Sequence, residues 1–209
     1  MHKLDHLYYI NLDKRPERNE HIVKNVLPKI NLPGEKITRV SAVDKTQEPN
    51  RHLRATGCTL SHLKIYENVL NCGYKYFMVL EDDFNMVINP VEFEDRMNRL
   101  FEQFPSFHVC QIAFNESKGE VEKVDDVFMR GRNIQTTSGY VMSSTFCNKL
   151  IPIYQDSINK IKQGHSSTKY ACDQIWKQFQ SMDTWILTRC GVQLNDYSDI
   201  EGRKVAYGC

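Results

Sequence analysis

The chain has 209 residues, of which 41% are hydrophobic and 25% charged, a composition typical of one globular domain with a substantial core. Its formal net charge is +1 and its basic residues are scattered, so the sequence does not favour a nucleic-acid partner. No apolar run approaches the roughly 20 residues of a membrane span, and the N-terminal segment lacks the features of a signal peptide. We therefore expect a cytoplasmic protein without a transmembrane segment, although peripheral membrane association is compatible with the sequence.

Strand-like and helix-like segments alternate along the chain. Strands, recognised as short apolar or alternating runs, are predicted at 6–11, 36–43, 74–80, 107–114, 138–142 and 185–189. Helices, recognised by apolar residues three and four apart, are predicted at 12–27, 58–70, 89–104, 143–154 and 171–179. The polar segments 116–133 and 163–169 are predicted to be loops, and the last twenty residues have no periodicity. This order indicates an α/β fold with a single, mostly parallel, Rossmann-like sheet flanked by helices.

The seven cysteines make an odd number, and no two of them have C-x-x-C spacing. Several lie within apolar segments, where cysteine usually packs as a small hydrophobic side chain. The sequence therefore predicts reduced thiols, and it predicts neither a disulfide framework nor a zinc site.

The predicted central strand, YKYFMVL, runs directly into three adjacent acids, Glu81, Asp82 and Asp83. Adjacent carboxylates repel one another and are costly to bury, so we expect a positive partner beside them. Ligands of parallel sheets bind at the carboxyl ends of strands, and Mg²⁺ or Mn²⁺ commonly bridges such carboxylates to a diphosphate. The pattern alone leaves two interpretations open, a metal–diphosphate site and a solvated turn.

Five segments of the chain resemble glycosyltransferase family 25, which includes lipooligosaccharide and collagen galactosyltransferases. The segments are YYINLDKRPERNEHI, GCTLSHLKIYENVL, FMVLEDDF, TTSGYVMSS and QLNDYSDIEG. They occur in this order between residue 8 and about residue 202. The resemblance implies one GT-A domain over residues 1–209, with a donor-binding half at about 1–90 and an acceptor half at about 91–209.

The resemblance also implies a reaction. A hexose, galactose in preference to glucose, would move with inversion from a UDP-sugar to an acceptor hydroxyl, assisted by Mn²⁺ or Mg²⁺. The acceptor would be a glycan, as in lipopolysaccharide biosynthesis, or a hydroxylysine-type side chain, as in collagen glycosylation. Two alternatives stay open: a catalytically silent nucleotide-sugar or partner-binding module of the same fold, and a retaining sugar transferase or nucleotidyltransferase.

Carried onto this sequence, the resemblance assigns roles to particular residues. The expected metal ligands are Glu81, Asp83 and Asp199. The expected contacts to the UDP-sugar are Asn11, Leu12, Arg15, Arg18, Ser61, His62 and Asp82. Asp173 is expected to be the base that takes the acceptor proton, the alternative being an ordinary aspartate at a helix N-terminus.

Two further expectations concern helices and aromatic residues. The segment 57–62 is predicted to open a helix whose free N–H groups favour phosphate or sugar oxygens. A solvated helix face is the alternative role for the two arginines Arg15 and Arg18. For Trp176 and Trp185 we expect core packing rather than stacking on a sugar.

Overall fold

In the computed structural model, which describes residues 3–116 and 119–206, the chain folds around a central sheet of eight strands. The strands of the described residues are β1 (His6–Asn11), β2 (Ile37–Ser41), β3 (Tyr76–Glu81), β4 (Phe84–Met86), β5 (Val109–Asn115), β6 (Glu120–Lys123), β7 (Met129–Arg132), β8 (Gln135–Ser143), β9 (Trp185–Leu187), β10 (Gly191–Gln193), β11 (Tyr197–Ser198) and β12 (Arg203–Lys204). The order in the central sheet is β2-β1-β3-β8-β5-β9-β7-β6.

The sheet is mixed, but most of its strands share one direction. β1 is parallel to β2 and β3, and β9 is parallel to β5. β8 is antiparallel to its neighbours β3 and β5, and β7 is antiparallel to β9 and β6. Within this sheet β8 and β7 thus oppose the other six strands. The prediction of a single, mostly parallel sheet flanked by helices is confirmed.

Helices cover both faces of the sheet. They are α1 (Pro16–His21), α2 (Arg51–Cys72), α3 (Pro90–Gln103), α4 (Ser144–Lys162), α5 (Ser167–Tyr170) and α6 (Cys172–Trp176), and α1 continues into a π-helical turn, Ile22–Val26. None of the helices in the described ranges is both long and apolar enough to cross a membrane.

The core consists of two apolar clusters separated by the sheet. Leu7 and Tyr9 belong to one cluster, which includes the apolar face of α3, whereas Tyr8 and Ile10 belong to the other, which includes those of α2 and α4. This alternation follows from the two-residue period of a strand. It fixes which face of the sheet each side chain of β1 joins, and the parallel pairing of β1 with β3 brings the carboxyl end of β1 beside the acids.

Both tryptophans lie in the core, as predicted. Trp176 and Trp185 are at most 1% exposed, and their rings meet edge to face with centroids 5.2 Å apart. The indole Nε1 of Trp185 donates a hydrogen bond to Gln111 Oε1 at 3.0 Å. Neither ring is accessible to a sugar.

The predicted start of α2 is wrong by seven residues. The helix begins at Arg51, where the Asn50 side chain accepts a hydrogen bond from Leu53 N, and Gly57 lies in its second turn. Glycine has a low helix propensity, so Gly57 was interpreted as the start of the helix although it lies inside it. Residues 57–62 therefore lie beyond the first turn, and their prediction as a phosphate-binding helix N-terminus is wrong.

Gly57 is required by a close approach of the backbone. A Cβ at this position would lie 2.5 Å from Val43 O. Glycine-to-alanine changes inside helices usually stabilise by about 1 kcal/mol, but we expect Gly57→Ala to destabilise the fold by about 1–3 kcal/mol through overpacking. Urea unfolding tests this, with Gly34→Ala as control because nothing lies within 4 Å of a Cβ there. An unchanged midpoint for Gly57→Ala would contradict the expectation.

The segments predicted as loops contain regular structure. Residues 116–133 include the hairpin β6–β7, whose mostly exposed β6 extends the edge of the sheet and lacks the apolar alternation of a buried strand. Residues 163–169 include the start of α5, which Ser166 caps. The C-terminal segment forms β10, β11 and β12, which pair over two or three residues each, too few to show periodicity.

The cysteines of the described ranges are all free thiols, and Cys209 lies outside those ranges.

Candidate functional site

The three acids lie at the carboxyl end of β3, beside the carboxyl end of β1. Glu81 is the last residue of β3, and Asp82 and Asp83 form the turn into β4. Ile10 is the register partner of Glu81, so Asn11, the last residue of β1, lies next to the acids. The prediction that the acids end a buried central strand is confirmed.

Asp82 is compensated within the protein. Its Oδ2 accepts a hydrogen bond from Asn11 Nδ2 at 2.8 Å, and its Oδ1 lies 3.2 Å from Arg18 Nη1. Burial raises the pKa of Asp82, while the positive charge of Arg18 opposes that rise. Asn11 is itself held by Arg39, whose Nη2 donates to Asn11 Oδ1 at 2.7 Å. The predicted sugar-donor residues Asn11, Arg18 and Asp82 are thus one internal network.

Glu81 is held by neutral donors and a histidine. Its Oε1 accepts hydrogen bonds from Thr137 Oγ1 and from His62 Nε2, the latter at 3.0 Å. Burial is the largest single influence and would raise the pKa of Glu81, but the hydrogen bonds from His62, Thr137 and Cys58, together with the charge of His62, lower it. No hydrogen bond to Glu81 Oε2 comes from the described residues, so this oxygen is open to a ligand.

Asp83 is the acid without a cationic partner among the described residues. Its Oδ1 accepts from Ser138 Oγ at 3.1 Å, and its Oδ2 accepts from Gln193 Nε2 at 2.9 Å. Both of these groups are neutral. Burial, followed by the charge of Glu81, raises the pKa of Asp83 from 3.8 to about 7. Of the three acids, Asp83 is therefore the one whose negative charge the protein compensates least.

Two adjoining cavities open at this edge of the sheet. The residues that line the first cavity include Leu12, Arg18, Ser61, Glu81, Asp82, Asp83 and Asp199. The second is lined by Asp173, Thr136 and Thr137 among others. Cys58, Glu81, Gln193, Ser198 and Ile200 line both cavities, so the wall between them includes Glu81.

Ser61 and His62, both predicted to bind the sugar donor, form hydrogen bonds in the protein interior. Ser61 Oγ donates to Gly57 O at 2.8 Å and accepts from Val43 N at 2.9 Å, so it holds the 42–46 loop against α2. His62 is 0% exposed and lines neither cavity. Its ring links Glu81 to the hydroxyl of Tyr140, 2.7 Å from Nδ1. His62 therefore positions Glu81.

A C-terminal strap, residues 196–205, lies over the first cavity and is held by arginines. Arg15 Nη1 lies 2.6 Å from Asp199 Oδ2, and Arg18 Nη2 lies 3.3 Å from Asp196 Oδ2. The two arginines predicted for phosphate contact thus bind carboxylates of the strap. The predicted metal ligand Asp199 forms this salt bridge, and in the described structure it has no contact with Glu81 or Asp83.

Asp173 lies in the first turn of α6, in the wall of the second cavity. Its Oδ2 accepts from Gln174 Nε2 at 3.0 Å. Burial raises the pKa of Asp173, opposed by the charge of Lys177. Asp173 and Glu81 both line the second cavity.

Several residues that shape the site were not predicted from the sequence. Thr136, a β-branched residue, has φ of 80°, a conformation that costs about 1–3 kcal/mol. Its Oγ1 donates to Gln193 Oε1 at 2.8 Å, and Gln193 in turn donates to Asp83. Thr136 and Ser138 lie in TTSGYVMSS and Gln193 begins QLNDYSDIEG. Their presence in these motifs was the available signal, but no pattern linked them to Asp83.

A family model described as glycosyltransferase family 25 (LPS biosynthesis protein) matches residues 4–176. The chain belongs to glycosyltransferase family 25. A glycosyltransferase 25 family member of Drosophila pseudoobscura pseudoobscura is 28% identical in an alignment of 171 positions that covers 71% of this chain and 27% of the relative. The family 25 chain therefore spans about a quarter of the length of that curated relative.

A solved structure of a glycosyltransferase involved in the glycosylation of the major capsid of PBCV-1 has the same fold. Its TM-score is 0.53 at 11% identity, covering 88% of this family 25 chain and 80% of that one. The GT-A-type fold expected from the sequence is confirmed.

The buried network at Arg18 predicts a large stability effect. Changing Arg18 to methionine leaves Asp82 buried with only Asn11 as a partner, so we expect a loss of about 3 kcal/mol in the free energy of unfolding. Urea denaturation measures this loss. The control Lys24→Gln removes the exposed ion pair with Glu20 and should leave the midpoint unchanged. Equal midpoints for the two variants would show that Asp82 is well solvated without Arg18.

Proposed function

We propose that this chain is an inverting glycosyltransferase that moves a hexose from a UDP-sugar to an acceptor hydroxyl with the help of Mn²⁺ or Mg²⁺. The observation that carries the proposal is the buried carboxylate of Asp83, which lines a cavity in a family 25 chain and is contacted by no cationic side chain of the described residues. Galactose is preferred to glucose in this proposal, and the acceptor is a glycan or a hydroxylysine-type side chain. These choices follow the family resemblance.

The residues present fit a hard divalent cation. Asp83 has two carboxylate oxygens that each accept one hydrogen bond from a neutral group, and Glu81 Oε2 accepts none from the described residues. Oxygen ligands are those that Mn²⁺ and Mg²⁺ prefer, and a cation would relieve the repulsion that raises the pKa of Asp83. When bound, the cation would neutralise the charge of the diphosphate leaving group. Asp83 and Glu81 are the proposed ligands.

The first cavity is the proposed nucleotide site. Leu12 and Arg18 line it, and Arg15 reaches the strap that borders it. A diphosphate is negatively charged, like the strap carboxylates, and would compete with them for the guanidinium groups. These groups suit forked contact with phosphate oxygens. We propose that Asp199 and Asp196 leave the arginines when the sugar donor binds and that Asp199 closes the site rather than binding the metal.

Asp173 is the proposed catalytic base. An acceptor in the second cavity would present its hydroxyl to the Asp173 carboxylate, which takes the proton as the oxygen attacks the anomeric carbon. The bond from that carbon to the diphosphate oxygen breaks, and UDP leaves. Because the attacking oxygen approaches opposite the leaving group, the anomeric configuration inverts. The proposed sugar-donor half is about 1–90, and the proposed acceptor half is about 91–209. Gln193 and the strap belong to the acceptor half but also border the first cavity.

A thermal-shift titration with UDP, with and without Mn²⁺, tests the proposal. Binding to the folded state adds RT ln(1 + [L]/Kd), about 2.7 kcal/mol at 100 times Kd, which raises the melting temperature by several degrees. We expect a shift that needs both ligands together. No shift in any combination would favour the silent binding module. A UDP-sugar screen with the product anomer determined by NMR then separates an inverting transferase from a retaining one.

A further inference from the structure

Two cysteines and a histidine form a cluster beside Glu81. Cys58 and His62 are one helical turn apart on α2, and Cys172 is the first residue of α6. A ligand atom from each side chain lies within 4.8 Å of the other two. The two Sγ atoms are 3.4 Å apart, longer than the roughly 2.05 Å of a disulfide. Two thiolates on one tetrahedral Zn²⁺ are about 3.8 Å apart, given Zn–S bonds of about 2.3 Å.

The carboxylate of Glu81 borders the cluster. Its Oε1 lies 3.0 Å from His62 Nε2 and 3.7 Å from Cys58 Sγ. Two thiols and one imidazole are a ligand set that Zn²⁺ takes in four-coordinate sites with three protein ligands, where water or another ligand fills the fourth position.

We propose that Cys58, His62 and Cys172 form a binding site for Zn²⁺ or another thiophilic divalent cation, with ligands different from the oxygen ligands proposed at Asp83 and Glu81. Thiolate and imidazole ligands select such ions, whereas Mn²⁺ and Mg²⁺ prefer oxygen. Each thiol loses its proton to solvent when the metal binds. The inference is independent of the proposed transferase reaction.

The surroundings support a metal site in two respects. The hydroxyl of Tyr140 lies 2.7 Å from His62 Nδ1, the second-sphere contact that orients a metal-binding imidazole. Cys58 and Cys172 line the second cavity, which provides an entry path for the ion. No zinc site was predicted from the sequence because no two cysteines have C-x-x-C spacing. Cys58 and Cys172 are 114 residues apart, and only the fold brings them together.

Titration of the reduced, metal-free protein with Co²⁺ tests the site. Thiolate ligands give Co²⁺ an intense sulfur-to-cobalt charge-transfer absorption, and a tetrahedral shell gives strong visible bands, both of which Zn²⁺ should abolish by displacement. We expect one equivalent of Co²⁺ to produce these bands. Cys58→Ser and Cys172→Ser should weaken Zn²⁺ binding by more than about 100-fold, since losing even an outer-sphere partner costs about 10–100-fold. The control Cys72→Ser changes an exposed thiol at the end of the same helix and should match the wild type.

A second measurement on the wild type avoids any dependence on the folding of the variants. Zn²⁺ should slow alkylation of Cys58, measured by mass spectrometry, and leave that of Cys72 unchanged. Mn²⁺ should protect neither. The proposal is overturned if the reduced wild-type protein gives no charge-transfer band. It is equally overturned if a folded Cys172→Ser variant keeps the wild-type band or if Zn²⁺ leaves Cys58 alkylation unchanged.

Discussion

Replacing Asp83 with asparagine is expected to abolish Mn²⁺-dependent UDP binding and, at the same time, to stabilise the ligand-free protein at neutral pH. The first effect follows because an amide cannot supply the anionic oxygen that a hard cation needs. The second follows because the buried carboxylate has no cationic partner among the described residues, and its neighbours Ser138 and Gln193 accommodate a neutral amide. Thermal shifts with UDP and Mn²⁺ measure the first effect, and urea unfolding measures the second.

The stability effect has a defined pH dependence. The pKa of Asp83 is raised from 3.8 to about 7, so the folded protein keeps a proton that the unfolded chain releases. Wild-type stability should therefore fall as pH rises from about 4 to about 7 and level off above that range. The asparagine variant lacks this loss, and its advantage should reach on the order of 2–4 kcal/mol above pH 7.

The matched control for Asp83 is Asp156→Asn, which changes an exposed aspartate of α4 that pairs with Lys160. This variant should keep both the ligand-induced shift and the wild-type pH profile. Two results would contradict the metal assignment: wild-type affinity for UDP with Mn²⁺ in the Asp83 variant, or a loss of affinity accompanied by unfolding. Only a folded variant of equal or higher stability that fails to bind supports it.

Replacing Asp173 with asparagine is expected to leave UDP binding intact and to lower the rate of transfer by about 10²–10⁴-fold. The carboxylate lies in the wall of the second cavity and is absent from the lining of the first, so nucleotide contacts should be unaffected. An amide of nearly the same shape keeps a hydrogen-bonding group beside Gln174 but cannot accept the acceptor proton. UDP release with an acceptor found by screening measures transfer, and the thermal shift measures binding.

The pH profile distinguishes a base from a structural aspartate. Burial raises the pKa of Asp173, and a base must be ionised to act, so wild-type transfer should increase as pH rises through this raised pKa. The Asp173 variant should lose that limb of the profile, whereas Asp156→Asn should retain it. Wild-type turnover in the Asp173 variant would exclude the aspartate as the base, and parallel loss of UDP binding would indicate a structural role.

The strongly patterned elements were predictable because local interactions determine them. The apolar side chains at 74–80 are stabilised by burial, and this segment forms β3 within two residues of the predicted bounds. The helix opened by Asn89 and Pro90 has a side-chain cap and a regular apolar face, and it begins where predicted. The position of the acids at a strand end follows from the same local pattern.

What the sequence could not provide was the partner of each acid. Asp82 is neutralised by Arg18 and Glu81 is held by His62, and these pairs are 64 and 19 residues apart. Gln193, which holds Asp83, is 110 residues away from it. Such pairings depend on how the strands are ordered in the sheet, which hydrophobic periodicity does not encode.

The sequence by itself determined an α/β chain with three acids at the end of a buried strand, because period, burial and turn chemistry are local properties. The family 25 type followed from the resemblance of five segments and not from these local properties. The tertiary structure alone decided which acid remains uncompensated. It also extended α2 through Gly57, since the space for a glycine is set by the distant backbone of Val43. It brought Cys58 and Cys172 together through the packing of α2 and α6, because contacts between elements are fixed by the sheet order and not by spacing along the chain.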